Sequence, residues 1–226
     1  MGAPPATPNL PPLLLRAGHD IAGIGGDLSA ATLLTGYAIG VFPMGVGLHG
    51  APPLGWWCPV RRGVLYPANM RVSRSLRRSA SRFHVTVDTA FTDVLEACAD
   101  PSRPGRWITA EIMVAYTRLH HLGFAHSVEV WADGALVGGL YGVAIGGLFA
   151  GESMFHRESD ASKVALLELT RIVRDDGHPD RIIDVQWATP HLQSLGVDEI
   201  ARSAYLDAVA RAVSLPPPAA FAARAG

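Results

Sequence analysis

Two carboxylates and a carboxamide stand where the hydrophobic pattern asks for apolar side chains. In Ile182-Ile183-Asp184-Val185-Gln186-Trp187, Asp184 and Gln186 alternate with apolar residues. A period of two predicts that both side chains leave the same face of a strand that otherwise reads as core. Burying a carboxylate costs several kcal/mol unless it is paired, so such a residue has either a structural partner or a chemical task. Glu152 ends a strand in Phe149-Ala150-Gly151-Glu152-Ser153-Met154-Phe155, again among apolar neighbours. Converging on a sheet edge, Asp184, Glu152 and Gln186 would bind an amine and draw a proton from it. The alternative from pattern alone is a structural hydrogen-bond set.

Leu140, Phe149, Met154, Leu166 and Leu169 come from the neighbouring strands and helix. They either line a pocket for a Leu- or Phe-sized group or simply pack the core. A third signal is charge placement. No acidic residue occurs between Asp27 and Asp88, whereas that gap holds Arg61, Arg62, Arg71, Arg74, Arg77, Arg78 and Arg82. On a helix, Arg74, Arg77 and Arg78 share a face that Arg71 and Arg82 extend. Such a stripe suggests phosphate contacts, salt-sensitive and largely blind to sequence, or else a solvated helix face. The net charge of −1 gives no overall bias toward nucleic acid.

Other chemistries find no support. His120, His121 and His126 lack metal-ligand spacing, and no His-Glu-x-x-His or Cys-x-x-Cys is present. The chain has neither a phosphate-binding glycine fingerprint nor a Gly-x-Ser-x-Gly elbow. Cys58 and Cys98 are read as reduced, buried or half-buried thiols. The uncharged run 134–151 carries seven glycines in eighteen residues and reads as strands with tight turns, not a membrane span. The expectation is a cytoplasmic protein with no metal and no cofactor.

The elements that must position these residues are legible from periodicity and punctuation. A Pro-rich leader covers residues 1–20. Asp27 or Ser29 caps a helix over Ala30–Ile39, Ser73 caps one running to Ser81, and further helices cover Phe91–Ala99 and Thr109–Leu122. His84–Val87 is a short strand. Ser127–Ala132, Ala135–Ala144 and Leu148–Phe155 form an antiparallel meander turned at Asp133-Gly134 and Gly146-Gly147. Asp160 caps a helix from Ala161 to Asp176, Ile182–Trp187 is a buried strand, and Thr189-Pro190 opens a short helix stopping at Gly196. The expected division is a small N-terminal domain at 1–66, a main domain at 67–214 and a disordered tail at 215–226. The layout is α+β with a mixed, mostly antiparallel sheet. Its order matches the central part of the N-acetyltransferase-like (GNAT) fold, an analogy that does not name a function.

From about Pro11 to Tyr205 the chain resembles bacterial leucyl/phenylalanyl-tRNA–protein transferases. The resemblance is carried by Gly25-Gly26-Asp27-Leu28-Ser29, Tyr37 through Pro43, Trp56-Trp57, Trp107-Ile108-Thr109, Ala125 through Trp131, Leu136–Phe155, Asp184-Val185-Gln186 and Pro190 through Gly196. It implies a small N-terminal domain and a GNAT-like catalytic domain. It also implies transfer of Leu, Phe and less readily Met from aminoacyl-tRNA to proteins beginning with Arg or Lys, which marks them for N-end-rule degradation. Residue by residue, it implies Asp184 and Gln186 as a catalytic pair and Glu152 as a site carboxylate. The aminoacyl pocket would be Leu140, Phe149, Met154, Leu166, Leu169 and Ile183. Trp107 would contact the terminal adenosine, and Arg74, Arg78 and Arg82 would meet the acceptor stem. The mechanism then expected has Asp184 drawing a proton from the amine through Gln186.

One departure stands out. Met44 occupies a place where the family usually has Trp near the terminal adenosine. Base stacking is worth about 1–3 kcal/mol, so contact there is expected to weaken unless Tyr37 or Trp56 compensates. Two rival readings follow from the same residues: an acyl-CoA-dependent GNAT enzyme, whose glycine-containing pyrophosphate loop is missing before Ala161, and a non-enzymatic RNA-binding module.

Overall fold

The computed structural model describes residues 7–103 and 107–222. In chain order the elements are β1 (Ile21–Ile24), α1 (Ala30–Ala38), β2 (Phe42–Gly45), β3 (Leu54–Trp57), β4 (Arg61–Leu65), α2 (Arg74–Ala80), β5 (His84–Val87), α3 (Phe91–Ala99) and α4 (Ala110–His121). Then come β6 (Ala125–Ala132), β7 (Ala135–Ile145), β8 (Leu148–His156), α5 (Ala161–Val173), β9 (Ile182–Gln186), α6 (Pro190–Ser194), β10 (Asp198–Ala201), α7 (Arg202–Ala212) and α8 (Ala219–Ala222). They form a three-stranded sheet ordered β1-β3-β2 and a seven-stranded sheet ordered β10-β4-β9-β8-β7-β6-β5.

Helix starts follow the capping rule. Ser29, Ser73, Thr109 and Thr189 each accept a hydrogen bond from the backbone N–H three residues on, which satisfies a donor the helix cannot. Asp160 behaves differently. It sits at the start of α5 in the left-handed region (φ 70°) and makes no cap bond. Its carboxylate instead accepts from Lys163 Nζ at 2.7 Å and Ser79 Oγ at 2.8 Å, tying α5 to α2.

The large sheet is covered on both faces, as an apolar run of strands requires. On one face, α1, α3, α4 and the small sheet enclose Leu33, Tyr37, Trp56, Phe91, Tyr116 and Tyr141 in a single cluster. On the other, α5 packs Val164, Leu166 and Leu169 against Val128, Leu140 and Phe149. The sequence assigned β4 to the small N-terminal unit. Its hydrogen bonds run instead to β9 and β10, in the middle of one half of the large sheet. Strands β1 and β10 and helix α7 were not foreseen; all but α7 are only four residues long, too short for a periodicity to register.

Both chain ends also differ from the expectation. Within the leader, the Asn9 N–H donates to Thr32 Oγ1 at 2.8 Å, and Leu10 and Leu13 pack on the core. Within the tail, α8 places Phe221 at 2% exposure, its ring 4.2 Å from that of His126 and 5.7 Å from that of Phe149. One aromatic residue with two aromatic partners outweighs the disorder that the Pro/Ala composition suggests. Residues 223–226 lie outside the described part.

One detail of topology makes the site. The meander β5–β8 is antiparallel, α5 crosses over, and β9 returns parallel to β8. That parallel pairing lasts only from Leu148↔Ile182 to Ala150↔Asp184. Beyond it, β8 stays with β7 as far as His156, while β9 turns to β4. The two strands therefore diverge after Ala150, and a wedge opens in the sheet.

Candidate active site

A cavity of about 270 Å³ fills the wedge. Leu140, Met154, Leu166, Leu169 and Ile183 line it, joined by Val185 and Leu192, with Glu152, Ser153 and Gln186 as its polar residues. Phe149 does not reach it. That ring lies in the layer beneath, against Phe221.

Glu152 is half-buried at the point where β8 leaves β9. Its Oε1 accepts from the Tyr37 hydroxyl at 2.6 Å, and its Oε2 accepts from the Tyr116 hydroxyl at 3.1 Å. The two tyrosine oxygens also lie in contact with each other. Burial pushes the carboxyl up to about 7, although both tyrosine donors pull it down; the Asp184 charge adds to the rise and Arg62 opposes it. Glu152 thus titrates where a proton acceptor for neutral-pH chemistry should. Burial and the nearby carboxylate raise Tyr37 and Tyr116 well above the usual phenol value, so both remain donors.

Asp184 and Gln186 do not share a face. Ile183 and Val185 point into the cavity, and the Asp184 carboxylate is turned away from it at 0% exposure. Arg62 donates through Nε to Oδ1 at 2.8 Å and through Nη2 to Oδ2 at 2.6 Å. The Tyr205 hydroxyl donates to Oδ2 at 2.8 Å, and the backbone N–H of Gln186 donates to Oδ1 at 2.9 Å. The Arg62 guanidinium lies over the rings of Phe42 and Tyr205, at 4.8 and 4.2 Å. Burial alone would lower the Arg62 pKa, but the Asp184 charge overrides it and the net shift is upward.

Gln186 breaks the strand period because its φ is +58°. The Trp187 N–H closes onto Val185 O at 2.7 Å, which makes a tight three-residue turn centred on Gln186. A non-glycine residue in that region costs about 1–2 kcal/mol, and the Asp184 bond to its N–H offsets part of this. Gly63 makes room opposite: a Cβ there would stand 2.8 Å from Ala188 N and 2.9 Å from Val185 Cγ2. The turn swings the Gln186 side chain into the cavity lining. Its Nε2 is buried and has no hydrogen-bond partner among the described residues. An unpartnered buried donor at a cavity wall is suited to an oxygen that arrives with a substrate.

Other expected contacts fall differently. Tyr37, offered by the sequence as a nucleotide contact, is buried in the core and bound to Glu152. Trp56 is wholly buried, with its Nε1–H donated to Gly25 O, so it offers no face in place of the Trp missing at Met44. Met44 is half-buried, and its carbonyl accepts from Trp57 Nε1 at 2.9 Å. Trp187, 38% exposed, stands edge-on to Phe42 and Trp57. Trp107 is half-buried, its backbone tight against Gly50. Arg74, Arg78 and Arg82 are exposed on and just after α2, and no acidic group lies within ion-pair distance of them among the described residues. Arg61 and Arg62 leave that group, because the first pairs with Glu199 and the second with Asp184. Arg62, Tyr205 and Tyr116 are the site residues that sequence reasoning missed. An arginine's burial leaves no periodic trace, and Tyr205 lies in a helix that was not foreseen.

An apolar cavity in a splayed sheet, with a near-neutral carboxyl and an unpartnered carboxamide at its wall, is an arrangement suited to acyl transfer. Comparison with known proteins narrows the class. Residues 64–210 match the family described as leucyl/phenylalanyl-tRNA protein transferase, and residues 26–60 match the N-terminal domain of the same family. Proteins named leucyl/phenylalanyl-tRNA–protein transferase are similar along most of their length. One from Aromatoleum aromaticum is 50% identical over 204 residues, covering 88% of this chain and 84% of its own. One from an Azoarcus species is 49% identical over 221 residues, covering 94% and 91%. The chain belongs to the leucyl/phenylalanyl-tRNA–protein transferase family and is an aminoacyltransferase. Among solved structures, FemX aligns at 12% identity over 76% of this chain and 66% of its own, with a TM-score of 0.47. Among the described residues no helix is long and apolar enough to cross a membrane.

Proposed function

We propose that this chain moves Leu or Phe, and less readily Met, from aminoacyl-tRNA onto the N-terminal Arg or Lys of acceptor proteins. The reaction takes place in the cytoplasm and marks the acceptors for N-end-rule degradation. The observation that carries this reading is the mainly apolar cavity between β8 and β9, whose polar lining residues are Glu152, Ser153 and Gln186. An apolar slot separates similar side chains weakly, by about 1–3 kcal/mol per methylene, so Leu, Phe and Met are graded rather than all-or-none donors.

The α-amine of the acceptor, with a reference pKa of about 7.7–8.0, reaches the active site neutral and attacks the ester carbonyl carbon. The C–N bond forms, and the amine proton passes to the Glu152 carboxylate. The C–O bond to the ribose then breaks, and the proton returns to the departing ribose oxygen. Gln186 Nε2–H donates to the carbonyl oxygen as its charge develops; one such donor is worth about 2.7–4 kcal/mol of barrier. Holding ester and amine together supplies about 7–11 kcal/mol more. Asp184 is neutralised by Arg62, so the preference for a basic N-terminal residue falls to the negative potential of Glu152. The arginines of α2 hold the acceptor stem, and Trp107 meets the terminal adenosine.

Single-turnover transfer of labelled Leu, Phe and Met from tRNA to peptides beginning with Arg, Lys and Ala tests the reading. Transfer to Arg and Lys, with Leu and Phe ahead of Met, is the expected result. Turnover with an acyl-CoA donor and none with aminoacyl-tRNA would overturn it.

A further inference from the structure

We infer that Arg62 and Tyr205 are positioning residues for the transfer: they fix Asp184 as a fully occupied acceptor whose task is to pin the Gln186 backbone in its left-handed turn, not to receive a proton. The inference rests on the proposed function. It assigns Asp184 a role different from the one the sequence suggested.

An ionised carboxylate offers about four acceptor positions. Here four donors meet it: Arg62 Nε, Arg62 Nη2, Tyr205 Oη and the Gln186 N–H, at 2.6–2.9 Å. Nothing is left for a substrate amine to approach. A proton added to Asp184 would break at least one of these bonds and leave the Arg62 guanidinium buried without its counter-charge.

Asp184 is not among the residues lining the cavity, whereas Ile183, Val185 and Gln186, on either side of it, are. The link from Asp184 to Gln186 is made through the backbone N–H, not through the carboxamide. The carboxamide Nε2 has no partner among the described residues, and no side-chain relay joins Asp184 to Gln186 there. What that backbone link does is hold φ at +58°. If the turn relaxed to ordinary strand geometry, the period of two would carry the carboxamide to the Asp184 side of the sheet, out of the cavity.

Arg62 comes from β4, which pairs with β9 directly opposite. Tyr205 comes from α7, packed on β4 and β9. The Tyr205 hydroxyl is also within 3.1 Å of Arg62 Nη2, and its ring lies under the guanidinium. The two residues brace each other as well as Asp184.

The test compares Tyr205→Phe with the unaltered protein in kcat, KM for aminoacyl-tRNA and the pH dependence of kcat. The positioning role predicts kcat lowered by about tenfold, the kinetic equivalent of one hydrogen bond to a charged group. It also predicts an unchanged KM and an unmoved pH midpoint. If Asp184 received the proton, loss of the Tyr205 donor would displace the rising limb of the pH profile. That shift, or an unchanged kcat, overturns the inference. A second comparison sets Asp184→Asn beside Asp184→Asn with Arg62→Gln, with thermal unfolding followed for both. A neutral hydrogen-bonded pair can still brace the turn but cannot take a proton, so the double variant should recover at least about tenfold over the single. Equal inactivity of two folded variants overturns the inference; if either is unfolded, the Tyr205→Phe profile decides. Failure of the unaltered protein to transfer to an Arg acceptor would sink the proposed function itself, an outcome distinct from any of these.

Discussion

Replacing Tyr37 by Phe should move the pH dependence of transfer upward. Tyr37 donates to Glu152 Oε1 at 2.6 Å from within the core, and this bond favours the ionised carboxylate. A hydrogen bond to a charged group is worth about 1.5–3 kcal/mol, and one pKa unit corresponds to about 1.4 kcal/mol. Loss of the donor therefore raises Glu152 by about one to two units if nothing compensates. Tyr116 still donates to Oε2, and Glu152 is only half-buried, so the lower end applies: from about 7 to about 8. A base works in its ionised form, so the rising limb should shift to higher pH by about one unit, with the plateau rate little changed. The assay is single-turnover transfer to one Arg-starting peptide from about pH 5.5 to about pH 9.5. The acceptor amine titrates identically in both proteins, so the difference between the curves isolates Glu152. Superimposable curves, or a shift toward acid, would refute the assignment of Glu152 as the proton acceptor.

Three further outcomes are expected. Met154→Trp fills part of the cavity and should depress transfer of Phe about tenfold more than transfer of Leu; equal losses in kcat/KM would mean that the side chain is held elsewhere. Replacing Arg74, Arg78 and Arg82 together by Ala should weaken aminoacyl-tRNA binding and flatten its salt dependence by a slope of about two to three, with kcat at saturation retained; an unchanged slope would remove α2 from the RNA interface. Phe221→Ala should cost about 3 kcal/mol of stability, read by denaturant unfolding, because a buried ring with two aromatic partners is lost. A loss within about 0.5 kcal/mol would show that α8 is not docked on the body of the protein in solution.

Much of the scaffold was written in local signals. Ser29, Ser73, Thr109 and Thr189 announced their helices because a cap is a contact between residues three apart. The meander was legible because Asp133-Gly134 and Gly146-Gly147 mark its turns. The place of β4 was not legible, since its partners Ile183 and Glu199 lie more than a hundred residues away. The site was visible as polar letters in an apolar text, but its geometry was not. A strict period of two put Asp184 and Gln186 on one face, and nothing in the letters marks the left-handed turn at Gln186 that separates them. Phe149 looked like a pocket residue because its strand lines the cavity, yet it packs in the layer below. Tyr37 looked like a nucleotide contact because of its block, yet it is buried beside Glu152.

The two phenols that grip Glu152 come from different parts of the chain, one from α1 beside the small sheet and one from α4. If Glu152 takes the proton as proposed, the N-terminal unit is part of that transfer and cannot be exchanged as a passive adaptor. A chimera that takes its first sixty or so residues from a distant homologue would have to keep that phenol in register with its counterpart on α4. A graft chosen only for RNA affinity would detune the reaction before it altered which RNA is held.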